Sequence, residues 1–229
     1  MFFPHRITGI QPGHRVLEIG PGADPHPRSD VLLEMAFDDP AEYAKQFGHA
    51  RPLETAKELV FYDGVTFPFA DGTFDYVICS HVLEHVPDVE RFLSEIFRVA
   101  KRGYFEYPLC YYELVYNIGA HLNYVKFTDG TLRYMKKAET PIDLFRPVQE
   151  FHHLSLNRGY TRTVDDLIEH IMEGFEWEKP FRAEQVHDLR AVCHTKRELP
   201  VRVERELYTY GPKRLLRELF RSIRLRGSY

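Results

Sequence analysis

Five short segments, at residues 15–19, 31–34, 59–62, 74–79 and 103–107, constrain the fold more than anything else in the chain. Each is only four to six residues long and mostly apolar on consecutive positions, the pattern of a strand buried on both faces. Helix-compatible stretches separate them, and that alternation argues for a parallel sheet covered by helices. The best defined helix spans 88–101. There Val89, Phe92, Leu93, Ile96, Phe97 and Ala100 recur at helical spacing on one face, and Asp88 is placed to cap the start. A chain of 229 residues is long enough for one such domain with a sizeable core and an appendage.

After Tyr107 the character changes. Residues 108–160 are rich in aromatics and histidine and have poor periodicity, which reads as a helical and aromatic insertion after the fifth strand. Regular patterns resume with a helix over 163–175, weakly capped by Thr163 with Asp166, a strand at 175–179 and a last strand at 187–195. The domain is therefore expected to run over 1–195, with 108–160 as its cap and 196–229 as a basic appendage. Residues 196–229 hold ten Lys/Arg against four Glu, a local +6 that leaves about −10 on the rest of a chain of net charge −4. Within 212–226, Leu215, Leu216, Leu219, Phe220 and Ile223 form one stripe edged by basic residues. Such a helix suits an anionic membrane surface or a partner protein, and equally a helix packed on the domain. No nucleic-acid partner is expected, because the body is acidic and carries no recognition motif.

Three widely spaced cysteines, Cys79, Cys110 and Cys193, offer neither a disulfide framework nor a metal knuckle. The N-terminal residues lack the apolar core of a signal peptide, and no run approaches the roughly 18 apolar residues of a membrane span. The expectation is a cytoplasmic protein, with the basic tail pointing to a peripheral place at the inner membrane.

The chemistry is concentrated at strand ends. "VLEIGPG" runs a strand into Gly20-Pro21-Gly22, where backbone amides can approach a ligand that side chains would block. Pro25 and Pro27 then forbid the helix that should follow, and Pro25 leaves the G-x-G-x-x-G pattern of dinucleotide folds incomplete. Glu34 ends the second strand, Asp63-Gly64 the third, and "CSHVLEHVPD" follows the fourth. Ligand sites of open α/β sheets lie at those carboxyl ends.

Together "VLEIGPG", "DGVTFPFADGTFDYVICSHVLEHVPD" and "LSEIFRVAKRGYFEYP" resemble the class I S-adenosylmethionine-dependent methyltransferases, and most nearly the type-11 subgroup, over about residues 14–108. The resemblance implies a Rossmann-like, seven-stranded, mostly parallel sheet whose last strand is antiparallel, here with the first helix shortened. It implies that Glu18, Gly20, Pro21 and Gly22 surround the amino acid and ribose of S-adenosylmethionine. Glu34 would bind the ribose hydroxyls, Asp63 and Gly64 would face the adenine, and Ser80 and His81 would lie beside the methionine.

Methyl transfer often requires removal of a proton from the acceptor, and a histidine with an ordinary pKa near 6.5 suits that step. The motif places His81 next to the expected methyl group. His121 and His152, with His153, are the further candidates in the insertion, each also readable as a surface or packing residue. His85 reads as structural, and Glu106 and Tyr107 are weaker candidates. Histidine and acidic spacings match no standard metal pattern. Eight aromatics between Tyr104 and Phe127 read either as a packed cap or as an acceptor pocket. The favoured acceptor is a sugar hydroxyl on a surface-polysaccharide or glycolipid intermediate. The alternatives are a small-molecule, quinone or lipid acceptor, and a non-catalytic module that keeps the fold for interaction.

Overall fold

Four apolar strands side by side form the centre of the molecule, and everything else is arranged by them. The structure is a computed structural model and describes residues 1–36, 53–157 and 168–193. β1 (Val16–Ile19), β2 (Val31–Met35), β4 (Tyr76–Ser80) and β5 (Gly103–Pro108) are almost wholly buried, as their continuous apolar runs require. β3 (Glu58–Tyr62) is half exposed, in keeping with its place at the edge. The main sheet has the order β3-β2-β1-β4-β5-β8. The first five strands pair in parallel, and β8 (Met172–Trp177) runs antiparallel to β5, so the fold is Rossmann-like α/β with one reversed edge strand.

Helix α1 (Val89–Val99) begins where its sequence says it should. The Asp88 carboxylate accepts from the Arg91 amide at 3.0 Å, and Val89, Phe92, Leu93, Ile96 and Val99 are buried in the core cluster. Between β1 and β2 the described chain contains no helix, so Pro25 and Pro27 mark a true shortening.

Two expected elements differ. The helix expected to reach residue 175 ends earlier, as α4 (Ile168–Ile171), and residues 172–177 become β8 instead. Gly174 weakens a helix there, while the open edge of β5 offers a backbone ladder from Gly103↔Trp177 to Pro108↔Met172. Residues 187–193 form no strand. Leu189–Ala191 is a 3₁₀ turn, started by the Asp188 carboxylate accepting from the Arg190 amide, so the main sheet has six strands among the described residues rather than seven. Thr163, Asp166 and the basic appendage of 196–229, including 212–226, lie outside the described residues.

The insertion contains more than helices. It holds α2 (Cys110–Tyr116), α3 (Arg146–Asn157) and, between them, an antiparallel hairpin of β6 (Asn123–Thr128) and β7 (Thr131–Lys136). The hairpin turns at Asp129-Gly130, both with positive φ, as a two-residue hairpin loop requires. β9 (Arg182–Gln185) joins β7 in parallel to complete a second sheet.

Most of the eight aromatics pack. Tyr104, Phe105, Tyr107 and Tyr124 are buried, and Phe127 stacks on Phe175 with centroids 3.9 Å apart. The fold also brings two distant thiols together, with Cys110 and Cys193 sulfurs 2.9 Å apart and unbonded. Among the described residues, no helix is long and apolar enough to cross a membrane.

Candidate functional site

A cavity of about 1050 Å³ opens at the carboxyl ends of β1, β2 and β4. β1 is followed by β2 on one side and flanked by β4 on the other, so this is where the strand order reverses and where open α/β sheets hold ligands. One half of the cavity carries a bare glycine turn, the other the ionisable side chains of His81, Glu84, His85 and His121 among apolar residues.

The first half starts at the Gly20-Pro21-Gly22 turn, all of which lines the cavity. Gly20 and Gly22 both sit at φ +60, and a Cβ on Gly20 would stand 2.6 Å from Val82 Cγ2. Glu18 does not line the cavity. Its Oε2 accepts from the His26 amide at 2.7 Å and from Ser29 Oγ at 2.6 Å. Lys57 Nζ donates to the carbonyls of His26 and Pro27. These bonds hold the loop in shape where a helix would otherwise have done so.

Glu34 lies across from the turn at the end of β2. It is only 7% exposed, and burial pushes its carboxyl up to about 7 despite one bond from the Met35 amide. Gly64 lines the cavity beyond it, whereas Asp63 does not. Asp63 is exposed, and its Oδ1 accepts from the amides of Val65 and Thr66, both at 2.8 Å, which keeps its carboxyl below the ordinary range. Of the two residues expected to face the adenine, Gly64 is thus the one on the cavity wall. The narrow glycine turn and the acidic end of β2 fit a nucleoside whose ribose presents two hydroxyls, so Gly20, Gly22, Glu34 and Gly64 are the residues that could hold a cofactor.

The second half is centred on His81, a non-glycine residue held at φ 58. Its Nε2 lies 2.9 Å from Glu106 Oε1 and its Nδ1 lies 3.3 Å from Glu84 Oε1. Burial opposes the charged ring, but the two carboxylates outweigh it and push His81 up to about 9. Glu106 is fully buried and is also bound by the amides of Phe2 and Phe3, by Tyr104 OH and by Ser80 Oγ. Burial alone would raise its carboxyl, yet His81 and these donors hold it near 2. At neutral pH His81 is thus a cation between two anions. Its two carboxylate contacts fix the ring at the end of β4.

His121 and His152 separate clearly. His121 is nearly buried, lines the cavity and places Nδ1 against the carboxylate of Glu113, which also accepts from Lys137 Nζ at 2.9 Å. His152 lies on α3 with its ring edge-on to Tyr116 at 6.0 Å, and His153 bonds the Tyr116 carbonyl; neither lines the cavity. Tyr107 is buried and accepts from the Phe127 amide, which makes it a packing residue. Of the eight aromatics, only Tyr112 faces the cavity.

The sequence did not single out Glu84, and it read His85 as structural. Glu84 and His85, in the 3₁₀ turn Leu83–His85 that follows β4, both line the cavity. His85 Nδ1 faces the Ala120 carbonyl at 3.1 Å, its ring meets His121 edge-on with centroids 4.6 Å apart, and burial lowers its pKa. Neighbouring "EH" in the fourth strand-end motif was the visible signal, but its partner His121 is 36 residues further along, beyond the reach of any local spacing rule.

Comparison with known proteins places the same segment in a family. Residues 33–105 match the family described as "Methyltransferase domain". Over 102 residues the chain is 33% identical to the sterol 24-C-methyltransferase of Schizosaccharomyces pombe, covering 42% of this chain and 27% of that protein. Over 98 residues it is 32% identical to the demethylmenaquinone methyltransferase of Renibacterium salmoninarum, covering 42% of this chain and 40% of that one. The chain thus spans well under two thirds of the length of these relatives. A solved S-adenosylmethionine-dependent methyltransferase from Aquifex aeolicus is 19% identical over 44% of this chain and 60% of its own, with a TM-score of 0.32.

Proposed function

We propose that this chain, a class I methyltransferase of the type-11 kind, transfers a methyl group from S-adenosylmethionine to a small-molecule acceptor held in the second half of the cavity. The observation that carries this reading is a single cavity at the sheet's switch point, lined at once by the Gly20–Gly22 turn, by Glu34 and by a cluster of buried acids and histidines. When bound, S-adenosylmethionine supplies an electrophilic methyl group on its sulfonium.

The residues divide the work. The turn admits the amino-acid part against bare backbone, and Glu34, once ionised, accepts hydrogen bonds from the ribose hydroxyls. Gly64 leaves room for the base. Ser80 and His81 close the inner wall, with the charge of His81 already balanced by Glu84 and Glu106. Of the histidines proposed to act, His152 is off the cavity and His81 is held between two carboxylates, whereas His121 lines the insertion side with its ring fixed by the Glu113 carboxylate alone. The acceptor therefore lies against His121, Tyr112 and Leu122, all contributed by the insertion, which then serves as the acceptor cap. Calorimetry with S-adenosylmethionine and S-adenosylhomocysteine tests the core of this reading. Binding of both is expected, weakened roughly 10- to 100-fold by Glu34→Ala through loss of hydrogen bonds to a charged group; no heat and no thermal shift with either ligand removes it.

Our reading of the acceptor is a sugar hydroxyl on a polysaccharide or glycolipid intermediate, supported by Phe2 and Tyr112, whose rings on the cavity wall suit the faces of a sugar. A lipid or quinone acceptor is the second reading, favoured by relatives named for sterol and demethylmenaquinone methylation. Labelled cofactor supplied with separated glycan and lipid fractions distinguishes them; label confined to the lipid fraction sinks the sugar.

A further inference from the structure

Glu84 is completely buried, and apart from its ion pair with His81 no described group donates a hydrogen bond to its carboxylate oxygens. Its ion-pair partner His81 stands at 3.3 Å from Oε1, which leaves Oε2 with no donor among the described residues. A buried carboxylate lacking donors is costly unless a cation completes it. Two imidazoles stand beside it. One possible ligand atom from each of Glu84, His85 and His121 lies within 4.8 Å of the other two. Tetrahedral ligands at about 2.0–2.2 Å from a shared ion stand about 3.3–3.6 Å apart, so the ligand atoms would close in by up to about 1.5 Å through side-chain rotation.

The surroundings of both rings favour metal ligation. His85 Nδ1 faces a backbone carbonyl, that of Ala120, and His121 Nδ1 faces the Glu113 carboxylate. With the ring hydrogen on Nδ1 in each case, the lone pair is on Nε2, and Nε2 of neither ring has a hydrogen-bond partner among the described residues. This is the arrangement that orients histidine toward a metal and raises its basicity. Lys137 Nζ in turn fixes Glu113 at 2.9 Å. The two segments that carry the ligands are also clamped without any ion. The Leu122 amide donates to the Glu84 carbonyl at 2.6 Å, and Asn123 Nδ2 donates to the carbonyls of Leu83 and Val86.

We propose that Glu84, His85 and His121 bind one divalent transition-metal ion of the zinc type at the wall of the cavity. Two imidazoles and one carboxylate suit Zn²⁺ or Co²⁺, whereas Mg²⁺ and Ca²⁺ call for oxygen ligands alone. Three protein ligands leave a tetrahedral ion with an open position, and all three line the cavity, so that position faces the space assigned to the acceptor. There the ion would orient and acidify an acceptor hydroxyl, a role that rests on the methyltransferase reading. Binding of the ion does not.

The test uses the full chain after chelator treatment. Titration with Co²⁺ is expected to give visible d–d bands that saturate at one equivalent and are displaced by Zn²⁺. Glu84→Gln and His121→Gln, shown folded by circular dichroism, are each expected to weaken binding at least 100-fold. Glu113→Gln, which touches the ion only through His121, should weaken it roughly 10- to 100-fold. Absence of saturable bands in the wild type overturns the proposal even if every variant fails to fold. So does unchanged affinity in folded Glu84→Gln or His121→Gln, which assigns the metal to other histidines. S-adenosylhomocysteine calorimetry on the same chelator-treated protein keeps the two readings apart, since each ligand is scored without the other.

Discussion

The two halves of the cavity are built from different materials. On the β1–β2 side the wall is a glycine turn with Glu18 packed beneath it, and the charged side chains there are those of Glu34 and Asp24. On the β4–β5 side the wall carries the ionisable groups His81, Glu84, His85 and His121 among apolar residues, and these depend on others: His81 on Glu84 and Glu106, and His121 on Glu113 and Lys137. A site made of backbone tolerates loss of a side chain but not gain of one. A site made of buried charge behaves in the opposite way, because each group removed leaves its partner uncompensated.

The largest effect should therefore come from the charged half. Glu113→Ala leaves Lys137 Nζ buried with the Ile118 carbonyl as its remaining acceptor among the described contacts. A loss of about 3–5 kcal/mol is expected, read as a lower midpoint in urea with an unchanged slope; a loss under about 1 kcal/mol would mean that this half is no more interdependent than the other. On the backbone half the sensitive change is an added methyl. Gly20→Ala forces a side chain into the left-handed region and against the stiff, branched Val82, for a cost of about 3 kcal/mol and loss of cofactor binding. Gly22→Ala has the same φ but open space around its Cβ, so only the backbone term of about 1–2 kcal/mol applies. Equal costs at the two glycines would show that close approach to Val82 does not matter.

Glu34 crosses the division, as a buried charge on the backbone side. Its folded pKa of about 7 lies above the ordinary carboxylate value of 4.5, so the native state binds the proton more tightly than the unfolded chain. Its contribution to stability is thus most favourable at low pH and is lost as pH rises from about 4.5 to 7. Cofactor binding runs the other way, because the ribose hydroxyls need the ionised form. Affinity for S-adenosylhomocysteine should rise about tenfold between pH 6 and pH 8, and Glu34→Gln should be weak and flat across that range. A wild-type profile as flat as the variant's would remove Glu34 from the ribose.

The same division explains what the sequence made legible. Strands β1 to β5, the missing first helix and the Gly20–Gly22 turn are local features, written in consecutive residues or in short spacings. The Asp129-Gly130 hairpin is equally local, flanked by "NYVKFT" and "TLRYMK", but the aromatics around it blur its alternation of apolar and polar residues. By contrast, β8 forms only because β5 offers an edge, and 187–193 fails to extend the sheet for reasons no local pattern carries. The cluster of Glu84, His85, Glu113 and His121 is of that second kind. Its members come from the turn after β4 and from two places in the insertion, so only the fold brings them together. Asp63 shows the converse, a residue legible at a strand end whose carboxylate accepts from its own turn, which no strand-end pattern displays.

The smallest expected effect concerns His152, which the sequence offers as a base on the same footing as His121. It packs edge-on to Tyr116 on helix α3, half exposed and away from the cavity wall, and no carboxylate orients its ring. His152→Gln should then shift stability by less than about 0.5 kcal/mol, the ordinary range for a surface change, and leave S-adenosylhomocysteine affinity unchanged. His121→Gln in parallel should abolish acceptor turnover while sparing cofactor affinity, because it sits on the charged half alone. Turnover that falls more than tenfold in His152→Gln, with cofactor affinity intact, would place α3 over the acceptor and make the charged half larger than the cavity wall described here.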